Sequence, residues 1–401
     1  MVSVTSLGFL PFMALFVCLW YRVPQPSRWK LVLAANAVFC LSIDIGAFFA
    51  VALATAVVWQ AAQHAQPEQP NRRGWLALGL AAALLPLLVL KYSGMLVPGL
   101  RDLYKPFGLA YYSLQLAGYL LDVWHGRTAP APSYARLWCY AGFFLSLTQG
   151  PFNRYNTLMP QLEAAPKTFE TQRLVSGLQR SAWGYFKKFA IADRAAIVVS
   201  AAFADPASFD RSQLIFATVM YSFQLYADFS GYTDIVLGMG EILGLHLPEN
   251  FRQPFFADSV KDIWARWHIS LSQWLRDYIY IPLGGSRCSK ARKDGNLIIT
   301  FLVSGLWHGA GLTYLVWGGL HGLCQAAENH LPPRRPGKLR HALRVAGTFC
   351  ILAGAFVIFR ASSLANAAEL FKGILCNGGH AVLSNYWELG LTSLQEEILL
   401  Y

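Results

Sequence analysis

Two histidines set in apolar, aromatic surroundings are the residues best placed to do chemistry: His308, in FLVSGLWHGAGLTYLVWGGLHG at 301–322, and His268, in IWARWHISL at 263–271. Imidazole, with a reference pKa near 6.5, is matched to taking a proton from a hydroxyl as that hydroxyl attacks a thioester. General-base catalysis of such a step typically contributes roughly 10²–10⁴-fold. An aromatic, low-dielectric wall would hold His308 neutral and ready to accept the proton. Gly305 and Gly311 lie three residues to either side of it, a spacing that permits close helix packing or a locally opened backbone. At membrane depth, non-helical backbone is tolerated only where it is buried or lines a cavity. The competing reading is a hydrogen-bonded core histidine, and His321 fits a simple helix–helix contact.

The elements that must position these groups are membrane helices. Of 401 residues, 55% are hydrophobic and 14% charged, and the mean hydropathy is +0.36; a typical soluble domain is roughly 25% charged. The apolar residues come in blocks at Leu7–Tyr21, Leu31–Leu41, Ile45–Ala62, Trp75–Leu90 and Leu339–Phe359, several of them near the roughly 20 residues that span a bilayer. No Lys or Arg precedes Arg22, so the first block reads as a retained first transmembrane helix, not a signal peptide. Asp44 marks a tight turn between two helices. The expected fold is an all-α, polytopic integral membrane protein of one domain over 1–401. Simple spans fill about 1–100, a catalytic core about 105–330, and C-terminal spans 339–401.

The net charge of +11 does not form one compact patch, which argues against nucleic acid. Arg22, Arg28 and Lys30, then Arg72 and Arg73, then Arg334, Arg335, Lys338, Arg340 and Arg344 separate apolar blocks, as cytoplasmic loops do under the positive-inside rule. The N-terminus is therefore expected outside. Seven scattered cysteines with no CxxC pair point to small buried hydrophobes, with no metal site expected.

From about Pro106, ionisable residues enter the apolar segments: Asp122, His125, Arg154, Lys187, Lys188, Asp193, Asp228 and Asp234. Each is expensive in lipid and so, by default, a functional candidate, although Asp228 and Asp234, six apart, fall on different helical faces and could each simply pair. Over Asp258–Tyr280, Trp264, Trp267, His268, Leu271, Trp274, Leu275 and Tyr278 recur at helical spacing, while Asp262, Arg266, Gln273 and Asp277 lie off that stripe. This predicts an interfacial or re-entrant helix. It ends at IPLGGSR, 281–287, and a basic loop carrying Arg287, Lys290, Arg292 and Lys293 would draw acidic substrates such as coenzyme A phosphates.

The stretch ENFRQPFFADSVKDIWARWHISLSQWLRDYIYIPLGGSR at 249–287, followed by SGLWHGAGLTYLVWGGLHG at 304–322, resembles the membrane-bound O-acyltransferase family. The resemblance is strongest to its bacterial branch, which contains the alginate O-acetylation membrane subunit and the teichoic acid D-alanyl transferase. KPFGLAYYSLQLAGYLLDVWHG at 105–126, QGPFNRY at 149–155, GYFKKFAIADR at 184–194 and QLYADFSGYTDI at 224–235 follow the family's order, so the likeness covers about 90 to 372. It implies a ring of transmembrane helices around a central acyl-transfer tunnel in the cell (inner) membrane, crossed many times. The histidine of the WHG motif, here His308, would be catalytic, and that of RWHISL, here His268, would lie near the tunnel as catalytic support. Trp307, Asn250, Asp228, Asp234, Arg154, Trp264 and Tyr314 are the further candidates for supporting or lining it.

The implied reaction moves an acyl group, acetyl foremost, from a cytoplasmic thioester to a hydroxyl. The donor would be acetyl-CoA or, for D-alanyl transfer, an acyl or D-alanyl carrier protein, with no cofactor bound. An extracytoplasmic partner protein would relay the group to a polysaccharide. A transporter or flippase would show paired broken helices in an inverted repeat, and the sequence has no such symmetry; a non-catalytic assembly subunit is the third reading. Two departures from the family stand out. Ile43-Asp44-Ile45 replaces the usual aromatic residues, and the chain ends at Leu399-Leu400-Tyr401 as an apolar run opens, so either a truncation or a shortened variant is expected.

Overall fold

A computed structural model describes residues 3–6, 8–100, 103–164, 166, 168–332 and 336–378. Its α-helices are α1 (Phe9–Arg22), α2 (Arg28–Ile43), α3 (Ile45–His64), α4 (Arg72–Leu96), α5 (Leu109–Trp124), α6 (Tyr134–Ala141), α7 (Tyr155–Ala164), α8 (Thr171–Phe186), α9 (Asp193–Ala204), α10 (Arg211–Ile242), α11 (Val260–Arg266), α12 (Ile269–Leu275), α13 (Lys290–His308), α14 (Leu312–Glu328), α15 (Lys338–Arg360) and α16 (Leu364–Cys376). Turns of π-helix occupy Lys187–Ala192 and Arg276–Tyr280. Among the described residues the only β-type pairing is an isolated bridge between Phe251 and Trp267. The all-helical expectation holds.

Three described helices, Ile45–His64, Arg72–Met95 and Lys338–Arg360, are long and apolar enough to cross a membrane. The block expected as the first span is α1, whose 14 residues rise roughly 21 Å at 1.5 Å each, short of a ~30 Å hydrocarbon core. Asp44 forms the expected turn, its carboxylate accepting from Gly46 N at 2.9 Å and so capping α3. Arg28, expected in a loop, is 1% exposed. It lies over the Trp20 ring at 4.9 Å and donates to Pro166 O at 2.7 Å, so packing has claimed this charge. Only Cys40 and Cys139 are buried, whereas Cys18, Cys350 and Cys376 are exposed, because a small apolar side chain is equally at home on a lipid-facing helix surface. Arg334, Arg335 and Leu399–Tyr401 lie outside the described residues.

The chain forms two compact units. The first comprises Met1–Tyr185, Tyr232–Asn250 and His268–Tyr278; the second comprises Phe186–Gly231, Phe251–Trp267 and Ile279–Tyr401. In the first, α5 is buried on nearly every side and receives α12 at Gly118, where an added Cβ would sit 2.8 Å from Trp274 Nε1. Trp274 Nε1 donates to Leu114 O at 2.9 Å. In the second, one aromatic and aliphatic core joins Phe203, Tyr221, Trp264, Trp317, Phe356 and Leu370 from α9, α10, α11, α14, α15 and α16. Lipid tails are as apolar as leucine, so helices in a bilayer associate through close packing and interhelical hydrogen bonds. Both devices are present here.

The single helix expected over Asp258–Tyr280 is instead two short helices and a π turn. Ser259 caps α11 by accepting from Asp262 N at 3.1 Å, and α11 stops at Arg266 because Arg266 O accepts from Arg252 N at 2.9 Å. His268 then adopts φ 44°, ψ 51°, a left-handed conformation that costs a non-glycine residue roughly 1–2 kcal/mol. The helical spacing of the tryptophans is real, but competing main-chain pairing with residues 250–252 overrides it. The basic loop is also shorter than expected. Lys290, Arg292 and Lys293 form the first turn of α13, capped by Ser289.

Candidate active site

His308 is the last residue of α13. The helix ends there because Gly309 is fully extended, at φ −165° and ψ 165°, and α14 starts within three residues, giving a helical hairpin. Small residues set the closeness of that hairpin. A Cβ on Gly305 would strike the carbonyl of Tyr314, and one on Gly318 would strike the carbonyl of Phe301. Both options read from the glycine spacing are therefore used, close packing at 305 and 318 and an open turn at 309–311.

This hairpin delivers His308 half-buried into an aromatic wall. Its ring lies 4.8 Å from Trp307, 5.2 Å from Trp317 and 5.3 Å from Phe359, each edge to face. Tyr314 joins the wall through Phe359 at 5.1 Å. Trp264 stands one layer behind, 5.6 Å from Trp317, and its Nε1 donates to His321 Nδ1 at 3.3 Å. His321 thus closes a contact between α11 and α14, as expected, and accepting at Nδ1 leaves the neutral ring's proton on Nε2. The edge-on rings fix the His308 plane, and the side chain remains partly exposed.

Asp228 takes no part in that wall. It pairs with Lys188 Nζ at 2.7 Å, and Lys188 also reaches Asp193 at 2.8 Å.

The first unit holds the remaining candidates. His268 is 1% exposed and faces the Phe152 ring at 6.0 Å, 25° from parallel. Asn250 is 0% exposed and bonds the residues that follow His268. Its main-chain O accepts from Ile269 N at 3.1 Å, and its Oδ1 accepts from Ser270 N at 3.2 Å and Ser270 Oγ at 2.6 Å. Arg154 belongs to a different cluster. It donates to Asp277 at 2.8 Å, lies 3.8 Å from Asp122 and covers the Tyr278 ring at 4.4 Å, while Tyr278 OH donates to Asp122 at 2.8 Å. Asp234 accepts from Arg180 at 3.1 Å, and Arg180 also reaches Glu249 at 2.7 Å. Asp228 and Asp234 pair separately, as their placement on different faces of α10 allowed.

Sequence reasoning missed Trp317, Phe359, Ser270 and Arg180. Trp317 had a usable signal, since it stands four residues before His321 and so shares its helix face. Phe359 had none, because a phenylalanine in an apolar span is indistinguishable from any lipid-facing residue.

Residues 97–336 match the model of the MBOAT, membrane-bound O-acyltransferase family, well over half of the chain. This chain belongs to that family and is a membrane acyltransferase. It is 33% identical over 419 residues to the probable alginate O-acetylase AlgI of Azotobacter vinelandii, covering 100% of this chain and 83% of that protein. It is likewise 33% identical over 347 residues to the peptidoglycan O-acetyltransferase of Helicobacter pylori, covering 77% of this chain and 66% of the other. Similarity to the teichoic acid D-alanyltransferase of Bacillus subtilis is lower, 26% over 298 residues, covering 70% and 75%.

Proposed function

We propose that this acyltransferase moves an acetyl group from a cytoplasmic thioester, acetyl-CoA, to a hydroxyl acceptor that serves the O-acetylation of an extracytoplasmic polysaccharide. His308 is the general base. It takes the acceptor hydroxyl's proton as the oxygen attacks the thioester carbonyl. The C–S bond then breaks, and the leaving thiolate recovers the proton from the imidazolium. The observation that carries this reading is the half-buried His308 at the end of α13, its ring held edge-on by Trp307, Trp317 and Phe359. An aromatic, low-dielectric wall favours the neutral imidazole, the form that accepts a proton.

The wider reading is a ring of helices around a tunnel in the inner membrane, crossed many times, with an extracytoplasmic partner relaying the group. His268 supports the reaction. The basic first turn of α13, with Lys290, Arg292 and Lys293 at the positive end of the helix dipole, favours phosphate-bearing donors. Acetyl is favoured over D-alanyl because the relatives at 33% identity are named for O-acetylation, whereas the D-alanyl transferase stands at 26%.

The test is acylation of the cell-surface glycan in a strain lacking this gene, complemented with wild type or His308→Ala at matched membrane abundance. Loss of the acyl group with His308→Ala is expected, and mass spectrometry of the glycan distinguishes acetyl from D-alanyl. Full acylation by the variant would overturn the base assignment.

A further inference from the structure

His268 occupies a left-handed conformation, φ 44° and ψ 51°, between two helices whose tryptophans are spaced for one continuous helix. A non-glycine residue holds such a conformation only where its surroundings over-determine it. Asn250 is the residue in position to impose it. Its main-chain carbonyl takes the Ile269 amide at 3.1 Å, and its side-chain Oδ1 takes the Ser270 amide at 3.2 Å. Those two N–H groups are first-turn donors of α12, which a helix start otherwise leaves without partners. The cap of α12 therefore comes from a residue 18 positions upstream of His268, while His268 itself makes no capping bond.

The same amide reaches the ring of His268 by a second route. Ser270 Oγ donates to Asn250 Oδ1 at 2.6 Å and accepts from Phe152 N at 2.9 Å, and the Phe152 ring lies against the His268 imidazole at 6.0 Å. Phe152 is in turn stacked on Tyr111 at 4.9 Å and 7°. Asn250, 0% exposed, thus fixes both the backbone on which His268 stands and the residue that covers its face. The donors around Oδ1 also settle which end of the amide is the oxygen.

We propose that Asn250 is the positioning residue for His268, acting through its two acceptor oxygens to hold the left-handed turn. This rests on the reading that His268 supports acyl transfer. Removing the side-chain acceptor frees the Ser270 amide and hydroxyl, and the buried turn relaxes toward a continuous helix. His268 is then carried away from its present orientation, and Phe152 loses the anchor that Ser270 provides.

The experiment uses the full chain in cells and in detergent. Glycan acylation at matched abundance is compared for wild type, Asn250→Ala, Asn250→Asp, Ser270→Ala, His268→Ala and the Asn250→Ala/His268→Ala double variant, and hydrogen–deuterium exchange of the segment holding Ile269 and Ser270 is measured on purified protein. Asn250→Ala is expected to lose about ten- to a hundredfold in acylation, as a ~1 Å misplacement of a functional group does. Asn250→Asp, which as a neutral acid keeps the acceptor oxygen, should restore most of that loss. Ser270→Ala, which keeps the amide bond, should fall between the two. The double variant should be no worse than His268→Ala, since residues acting through one another are not additive. Exchange at 269–270 should rise in Asn250→Ala and return in Asn250→Asp.

Additive losses in the double variant, or no rescue by Asn250→Asp with exchange restored, would overturn the positioning role. Unchanged exchange in Asn250→Ala would overturn the hold on the turn itself. His268→Ala acylating as wild type would instead sink the reading on which the proposal rests, and the exchange arm separates that outcome from the others.

Discussion

His308 ends a regular helix whose antiparallel partner approaches through glycines, whereas His268 stands in a strained turn tied down by hydrogen bonds. In the α13–α14 hairpin, main-chain carbonyls of Phe301 and Tyr314 fill the places where Gly318 and Gly305 would carry side chains, and three aromatic rings meet the imidazole edge to face. Around His268 the determinants are polar, from Asn250 through Ser270 to Phe152. The hairpin gains precision from packing that does not depend on any one hydrogen bond. The turn gains it from a few buried bonds whose loss leaves unsatisfied groups, each costing roughly 1–3 kcal/mol. The packed hairpin leaves His308 half-buried, and the bonded turn buries His268 fully.

The largest test of this contrast is chemical. His308→Ala should lower acyl transfer by about 10²–10⁴-fold, the usual range for a general base, with His268→Ala falling well short of that. Glycan acylation at equal membrane abundance measures both. An equal or reversed ranking would mean that the support carries the proton instead.

Packing is tested next. Gly318→Val should destabilise the hairpin by about 1–3 kcal/mol or more, because the clash is with main chain that cannot rotate away. Gly74→Ala serves as the control, since a Cβ at Gly74 meets nothing within 4 Å. Thermal unfolding in detergent should separate them clearly. An unaffected Gly318→Val would show that the hairpin is looser than its glycines indicate.

On the polar side, Arg154→Met removes one of the two cations that pair with Asp277, leaving Arg276, and the nearest cation to Asp122 bar Arg127. With Asp122 7% exposed and held by Tyr278, the loss should be about 1–3 kcal/mol, as for hydrogen bonds to charged groups. Folded yield and melting temperature should fall together, and Arg154→Met combined with Asp277→Asn should recover part of the loss. A single variant melting like wild type would make this cluster ornamental.

How far these features could be read from residue order follows from their physics. The helical class, the Asp44 turn and the close helix approach near His308 depend on local pattern, namely apolar runs, a capping carboxylate and glycines three residues to either side of the histidine, and all were legible. The break at His268 was not. The spacing of Trp264, Trp267, Leu271 and Trp274 satisfies a helix perfectly well, and what breaks it is pairing with Asn250–Arg252, distant in sequence and visible only once the chain has folded. Arg28 failed for a related reason. A cation between two apolar blocks looks like a loop charge until the Trp20 ring and the Pro166 carbonyl are found around it. His308 itself was found by motif, while the Trp317 and Phe359 edges that define its setting arrive from α14 and α15.

The smallest effect expected lies at the polar end of the hairpin, away from His308. Asp294, near the start of α13 and outside the candidate spans, accepts from His330 Nε2 at 2.7 Å and Asn329 Nδ2 at 3.0 Å. The His330 bond, followed by that from Asn329, holds its carboxyl below the ordinary carboxylate range. A carboxyl whose folded pKa is depressed contributes stability above its unfolded value, near pH 4, and loses it as pH falls through the folded value. The melting temperature of Asp294→Asn should therefore sit slightly below wild type at pH 5–7, and the gap should close as the pH drops below about 4. The pair is near the surface and screened, so the gap should be much smaller than that of Gly318→Val. If the two were comparable, the hairpin would owe its closeness to its polar end as much as to its glycines, and the contrast with the His268 turn would narrow accordingly.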